Sequence, residues 1–168
     1  MGMIEALVEI GSQFEGTSLE DRLDRSFRVL RAMGFTSLTY DFTPSPIDRN
    51  GVLATPSIMR LRDIPTDAFH YWCERGYYQI DPVQQLSLSS VAPFVWSYRP
   101  EANTILSNVL GESHRPVLRY LLETEMTDGV TVPVHMPGGG YATFSAICIG
   151  AKRGYERDLS EHVAAVNL

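Results

Sequence analysis

The segment from residue 129 to residue 149 constrains the fold most, because it contains two strand-like runs joined by a glycine-rich connection. Gly129–His135 and Tyr141–Ile149 are rich in β-branched and aromatic residues, and Met136–Gly140 (MPGGG) lies between them. The simplest interpretation is a β-hairpin whose register is set by the glycine turn. We therefore expect an antiparallel sheet that contains this hairpin.

Helical patterns surround the predicted strands. Apolar residues keep helical spacing in five segments, at residues 3–13, 18–34, 65–76, near Pro116 and at 158–168. Two further strands are predicted at Phe35–Phe42 and Val52–Met59, and Thr17 or Ser18 is expected to cap the helix before them. Counted from residue 18, the order α-β-β-α-α-β-β-α indicates an antiparallel sheet with helices on both faces.

Composition and charge narrow the class of protein. A chain of 168 residues is long enough to form one domain with a hydrophobic core. Its net charge of −6 argues against binding of this chain to a nucleic-acid backbone. No apolar stretch approaches the ~18 residues of a membrane span, and no signal-peptide pattern opens the chain. Cys73 and Cys148 are too few for a disulfide scaffold, so we expect a cytoplasmic protein without membrane attachment.

The central stretch from Pro65 to Trp96 concentrates aromatic residues around one acid, Asp81. The aromatic side chains are Trp72, Tyr77, Tyr78 and Trp96. Aromatic walls with a few placed polar groups are typical of a small-ligand pocket, which predicts that Asp81 faces a ligand. The alternative is that Asp81 caps a short helix beginning at Pro82 while the tryptophans are core residues. Composition leaves the two interpretations open.

Catalytic patterns have little support in this sequence. The four histidines (His70, His114, His135 and His162) show no metal-ligand spacing, and no Gly-x-Ser-x-Gly elbow occurs. Pro137–Gly140 resembles a phosphate-binding loop but lacks the Lys-Ser/Thr that would follow it. We therefore expect no enzyme activity, no metal and no cofactor.

Several motifs together resemble a known family. They are Gly76–Pro82 (GYYQIDP), Pro93–Trp96 (PFVW), Gly34-Phe35 and Gly129–His135 (GVTVPVH). With these motifs the sequence resembles the autoinducer-binding domain of LuxR-type quorum-sensing regulators, over nearly the whole chain. The resemblance implies an α/β (α+β) fold, an α-β-α sandwich with a central antiparallel sheet, that forms one ligand-binding domain over residues 1–168.

The same resemblance implies partners. Family members bury an acyl-homoserine lactone between the sheet and the helices. They bind DNA as dimers through a separate C-terminal helix-turn-helix domain, which this sequence does not contain. The final helical pattern, at 158–168, stops without a cap, as in a domain cut from a longer protein. We expect a small signal molecule, a homodimer, and DNA contact only through the missing domain.

Family positions also imply roles for individual residues. Asp81 matches the acid that accepts the ligand amide N–H, and Trp96 matches the tryptophan that lines the lactone end. Ser145 matches a strand hydroxyl that bonds the ligand carbonyl, with Thr131 as a neighbouring candidate. Tyr77, in the aromatic group around Asp81, is a fifth predicted ligand residue. The set of ten is completed by Thr39, Asp41, Ile64, Ala68 and Trp72.

Other positions depart from the family pattern. Ile64 and Ala68 stand where a tyrosine and a tryptophan usually donate hydrogen bonds to the ligand, and Trp72 stands where a second tyrosine is usual. Thr39 and Asp41 add polarity to a strand that usually touches the acyl chain. The pattern resembles the solo regulators of plant-associated bacteria, which are thought to respond to plant compounds.

These departures predict a polar ligand, such as a plant-derived amide or amine, held between Asp81 and Asp41. This prediction requires that Asp41 points inward, and the alternative is that it faces water at a sheet edge. An ordinary lactone receptor with a rearranged pocket is a second interpretation of the whole chain. A dimerisation scaffold that binds no ligand is a third, although such a scaffold would need neither Asp81 nor Trp96.

Overall fold

Five antiparallel strands form the central sheet of the protein. They are β1 (Ser37–Thr43), β2 (Ile58–Arg62), β3 (Phe94–Ser97), β4 (Asp128–His135) and β5 (Tyr141–Cys148). Their order across the sheet is β2-β1-β5-β4-β3. This computed structural model describes residues 17–152, 154–155 and 158–161. The predicted hairpin is confirmed, since β4 and β5 pair from Asp128 and Cys148 to His135 and Tyr141 beside the turn.

Helices cover both faces of the sheet, which confirms the predicted α-β-α sandwich. The helical elements are α1 (Leu19–Ala32), a π-helical turn (His70–Glu74), α2 (Tyr77–Ile80), α3 (Pro82–Ser87), α4 (Arg115–Glu123) and two 3-10 turns (Ile105–Asn108 and Glu112–His114). Ser18 caps α1 by accepting a hydrogen bond from the Asp21 backbone N–H at 3.1 Å. The other helical elements belong to the opposite layer.

The alternation along β1 separates two apolar cores. Leu38 packs with Leu23 and Phe27 of α1, and Tyr40 adds to this smaller cluster. Thr39 pairs with Ser145 and therefore shares the other face of the sheet with it. This other face, which we call the cavity face, lies against the larger core that contains Trp72, Trp96 and Leu121. The predicted division of the strand into two faces is confirmed.

The second predicted strand has different bounds. It was expected at Val52–Met59, whereas β2 covers Ile58–Arg62 and pairs with β1. Leu53 instead forms an isolated bridge with Ile47. Pro56 explains the difference, because it has no N–H to donate to a strand ladder.

The helix predicted at 65–76 is shorter and contains the π-helical turn. The Arg75 N–H donates to the His70 carbonyl at 3.0 Å, five residues back, which widens the turn. The spacing of Phe69, Trp72 and Cys73 predicts one apolar stripe on this helix. The prediction is wrong for Phe69, which is 46% exposed, whereas Trp72 is buried. Gly76 ends the turn with a φ of +78°, as the sequence predicts.

Two predicted helices lie wholly or partly outside the described residues. The helix at residues 3–13 is outside them, and so are residues 162–168 of the last helix, whereas residues 158–161 are helical. In the part of the chain that is described, every helix is too short or too polar to cross a membrane.

Candidate ligand-binding site

A cavity of about 50 Å³ lies between the cavity face of the sheet and the helical layer. Seven of the ten residues predicted to bind a ligand line it: Thr39, Ile64, Ala68, Trp72, Asp81, Trp96 and Ser145. These residues come from strands, from the segment after β2 and from the helical elements, so the fold brings together positions that are up to 106 residues apart in the chain (145 − 39). Apolar side chains such as Met59, Leu121 and Met126 complete the walls.

Three of the predicted residues lie outside this lining. Tyr77 packs its ring against Tyr71 and Trp72, with ring centroids 5.1 and 5.6 Å away, and so belongs to an aromatic cluster beside the cavity. Thr131 is fully buried behind Ser145. Asp41 is also buried, at 1% exposure, which excludes the alternative that it faces water at a sheet edge.

Asp81 acts as a helix cap and lines the cavity at the same time. Its Oδ1 accepts hydrogen bonds from the backbone N–H of Val83 at 2.9 Å and from the Tyr98 hydroxyl at 2.6 Å. Its Oδ2 accepts a hydrogen bond from the indole N–H of Trp72 at 2.9 Å. The two interpretations left open by the sequence are therefore compatible, because one carboxylate oxygen makes the cap and the other is turned toward Trp72.

The Asp81 carboxyl retains the capacity for one more donor. A carboxylate oxygen accepts about two hydrogen bonds, and Oδ2 accepts one, from Trp72. Burial raises the pKa of Asp81, while the hydrogen bonds from Tyr98 and Trp72 act in the opposite direction. A ligand N–H or O–H placed on Oδ2 would stabilise the ionised form further.

A chain of hydrogen bonds runs from Trp96 to Ser145. Trp96 donates its indole N–H to the Thr131 hydroxyl oxygen at 2.9 Å, and Thr131 lies 2.7 Å from the Ser145 hydroxyl. When Thr131 donates its proton to Ser145, Ser145 keeps its own proton for an acceptor in the cavity. Trp96 therefore offers the cavity its ring surface and positions Ser145 indirectly.

Gly129 makes room for the Trp96 ring. It pairs with Trp96 across β3 and β4, and a β-carbon built on it would lie 2.5 Å from Trp96 Cζ2 and 2.5 Å from the Ala146 carbonyl oxygen. Such distances are not tolerated, so the absence of a side chain at this position allows the tryptophan to lie flat on the sheet.

Asp41 is the centre of a second buried network next to the cavity. Its carboxylate accepts hydrogen bonds from the Tyr78 hydroxyl at 2.7 Å, from Gln84 Nε2 at 3.3 Å and from the Thr143 hydroxyl. Burial raises the pKa of Asp41 to about 6 despite these donors. Gln84 lines the cavity and Asp41 does not. The prediction that Asp41 faces the cavity opposite Asp81 is therefore wrong, because Gln84 lines the cavity at this place and Asp41 lies behind it.

Sequence reasoning missed Tyr98 and Gln84, which both line the cavity. Two spacings could have indicated them. Tyr98 follows Trp96 by two residues, the repeat that keeps side chains on one face of a strand. Gln84 follows Asp81 by three residues, the repeat that makes neighbours on a helix.

The described part of the chain contains no candidate metal site. Among residues 17–152, 154–155 and 158–161, no three His, Cys, Asp or Glu side chains form a group able to hold a metal ion. The polar groups of the cavity are instead hydrogen-bond acceptors and hydroxyls, which suit an uncharged or cationic organic ligand.

Comparisons with known proteins agree with this arrangement. The sequence model of the family described as "Autoinducer binding domain" matches residues 18–168. Comparison with curated proteins gives no match.

Solved structures with the same fold come from three bacteria. CepR2 from Burkholderia cenocepacia, described as an N-acylhomoserine lactone dependent LuxR family transcription factor, is 15% identical with a TM-score of 0.63, and the match covers 96% of this chain and 90% of CepR2. SdiA from Escherichia coli is 12% identical with a TM-score of 0.65, covering 97% of this chain and 65% of SdiA. The VqsR LBD domain from Pseudomonas aeruginosa is 15% identical with a TM-score of 0.58, covering 93% and 88%. At these identities the likeness establishes the fold alone.

Proposed function

Because the chain belongs to the family of autoinducer-binding domains of LuxR-type regulators, we propose that it senses a small signal molecule that binds in the cavity against Asp81. The observation that carries this proposal is the buried Asp81 carboxylate, which lines the cavity and whose Oδ2 accepts a hydrogen bond from Trp72 with room for a second. A buried acceptor held in this way is preorganised for a further donor, which a ligand in the cavity can supply.

An amide is the simplest group that satisfies both polar ends of the site. Its N–H would donate to Asp81 Oδ2, and its carbonyl would accept the proton of Ser145 on the opposite, sheet side of the cavity. Both residues are buried and line the same cavity, which supports this arrangement. Trp72 and Trp96 would provide flat apolar surfaces for the rest of the molecule.

The cavity is small, and its size supports the proposal of a compact ligand over a long acyl chain. Its volume of about 50 Å³ is far below the roughly 300–1,000 Å³ that is typical of small-molecule pockets, so binding requires side chains to move. Ile64 and Ala68 contribute no donors to it. We propose a small amide or amine, for which plant-derived compounds are one source, with an ordinary acyl-homoserine lactone as the alternative.

A thermal-shift panel tests this proposal. Short- and long-chain acyl-homoserine lactones would be compared with compact amides and amines, because a ligand that binds only the native state raises its melting temperature. We expect compact amides to give the largest shifts. A large shift with a dodecanoyl lactone and none with the compact amides would favour the alternative ligand class, and no shift with any compound would contradict the proposal.

Dimerisation and DNA binding belong to the same proposal. We propose that the signal changes DNA contact through a helix-turn-helix domain outside this sequence and that two copies act together, as twofold DNA sites require. The spacing of Leu159, Val163 and Val166 predicts an apolar stripe on the last helix through which two copies would pair. Leu159 is half-buried, and Val163 and Val166 lie outside the described residues. Sedimentation with and without ligand would measure the assembly.

A further inference from the structure

Gln84 carries a buried polar atom that has no partner in the described part of the chain. Its side chain is 6% exposed and lines the cavity, and its Oε1 makes no hydrogen bond. Asp128 Oδ1 and the Tyr141 hydroxyl are the other buried atoms of this kind among the described residues, and neither residue lines the cavity. An unpaired buried carbonyl is costly, so a donor to Gln84 Oε1 would stabilise the site, and a ligand in the cavity that Gln84 lines can supply one.

The orientation of the Gln84 amide follows from its neighbours. The carboxylate of Asp41 only accepts hydrogen bonds, and Gln84 Nε2 lies 3.3 Å from Asp41 Oδ2 and 3.4 Å from the Thr143 hydroxyl oxygen. The Thr143 hydroxyl donates its own hydrogen to Asp41, so its oxygen can only accept a hydrogen bond from Gln84. If the Gln84 amide were flipped by 180°, Oε1 would face two hydrogen-bond acceptors, Asp41 Oδ2 and the Thr143 hydroxyl oxygen. The nitrogen therefore faces Asp41, and the oxygen is on the other branch of the amide.

We infer that Gln84 Oε1 is a second ligand contact and that the signal molecule carries a second N–H or O–H donor to meet it. This inference rests on the proposed function, in which the first donor meets Asp81. Asp81 caps α3 and Gln84 lies three residues further on, and such neighbours have β-carbons about 5–6 Å apart. The ligand class is thus an amide with a hydroxyl or second N–H a few bonds from the amide nitrogen.

Two sets of probes, used with the whole 168-residue chain, distinguish a second donor from mere polarity. The first set consists of three homoserine lactones that differ only at carbon 3 of a hexanoyl chain. N-(3-hydroxyhexanoyl)-homoserine lactone has a hydrogen-bond donor there, N-(3-oxohexanoyl)-homoserine lactone has only an acceptor, and N-hexanoyl-homoserine lactone has neither. N-(2-hydroxyethyl)hexanamide and N-propylhexanamide differ only in a hydroxyl against a methyl group. Calorimetry at pH 7.5 would give the affinity of each compound.

The hydroxylated member of each set is expected to bind about fivefold more tightly than its unsubstituted partner, the usual range for one neutral hydrogen bond being about 2- to 12-fold. The 3-oxo compound should gain nothing, because it would set an acceptor against Oε1. In Gln84→Met, which keeps the length of the side chain without its acceptor, the preference for the hydroxyl within each set should vanish.

Equal affinities within both sets in the wild-type protein would overturn the inference, and so would a hydroxyl preference that persists in Gln84→Met. The wild-type comparison decides the matter even where Gln84→Met fails to fold. Binding that depends on Asp81 but ignores the hydroxyl would remove the role of Gln84 and leave the proposed function intact. Absence of binding by every compound would contradict both.

Discussion

Trp72 and Asp81 are joined by a hydrogen bond of 2.9 Å between the indole Nε1 and the carboxylate Oδ2. The bond links the π-helical turn to the cap of α3, and both residues line the cavity. The wall of the cavity is thereby connected to the acceptor that we propose for the ligand, so a change in either residue should affect both stability and binding.

We expect Trp72→Phe to destabilise the protein more than Trp96→Phe does. Both tryptophans are buried, line the cavity and donate an indole N–H, but Trp72 donates to a carboxylate whereas Trp96 donates to the Thr131 hydroxyl. The two replacements remove the same volume, so the type of acceptor decides the difference. Hydrogen bonds to charged groups contribute about 1.5–3 kcal/mol against about 0.5–1.5 kcal/mol for neutral ones. Urea denaturation would measure the free energy of unfolding of each variant, and an equal or smaller loss in Trp72→Phe would contradict the expectation.

Gly129→Ala should cost about 1–3 kcal/mol, the usual range for an overpacked core. The added β-carbon would lie 2.5 Å from both Trp96 Cζ2 and the Ala146 carbonyl oxygen, so the ring must leave its place on the sheet. Gly140→Ala is the matched control, because the closest atom to its added β-carbon is Phe42 Cε2 at 3.4 Å. Thermal unfolding and the near-ultraviolet signal of tryptophan would report the two changes. Similar behaviour of the two variants would show that the sheet adapts to the extra methyl group.

The sequence predicted the sheet well because its signals are local. The hairpin turn at Met136–Gly140, the alternation along β1 and the cap at Ser18 each arise within a few residues, and the structure has all three. The start of β2 was predicted too early, because the residues before Pro56 resemble a strand in their pattern. Pro56 has no N–H to donate to a neighbouring strand, and β2 begins after it. The π-helical turn could not be read from spacing, since the spacing assumed 3.6 residues in each turn.

The site was predictable in its members and less so in its connections. Seven predicted residues line the cavity, because a resemblance of motifs carries positions with it. The position of Gln84 between Asp41 and the cavity depends on contacts between residues distant in the chain. No local pattern encodes such contacts.

Asp41 should make the stability of the protein fall as the pH rises from about 4 to 7. Its pKa is about 6 in the folded protein against a usual value of 3.8, so the folded state holds this proton more tightly than the unfolded state does. The stabilisation is fully present below pH 3.8 and is lost as the pH rises through 6. A pKa shift from 3.8 to about 6 corresponds to about 3 kcal/mol of stabilisation in total, most of which is lost between pH 4 and 7.

Asp41→Asn serves as the control for this effect, because an asparagine does not titrate. Urea denaturation at several pH values should show a steeper fall in the free energy of unfolding for the wild-type protein than for Asp41→Asn. Parallel curves for the two proteins would mean that Asp41 titrates alike in the folded and unfolded states.

The most direct test of the account is the calorimetric affinity of a compact amide, such as N-(2-hydroxyethyl)hexanamide, for the wild-type protein, Asp81→Asn and Tyr98→Phe. Asparagine can still cap α3, but its NH₂ group would face the ligand N–H in place of Oδ2, whereas Tyr98→Phe removes a donor from Oδ1 and leaves Oδ2 intact. We predict a loss of roughly 10- to 150-fold in Asp81→Asn, the range for a charged hydrogen bond, and little change in Tyr98→Phe. An amide that binds folded Asp81→Asn as tightly as it binds the wild-type protein would contradict the assignment of Asp81 as the ligand acceptor.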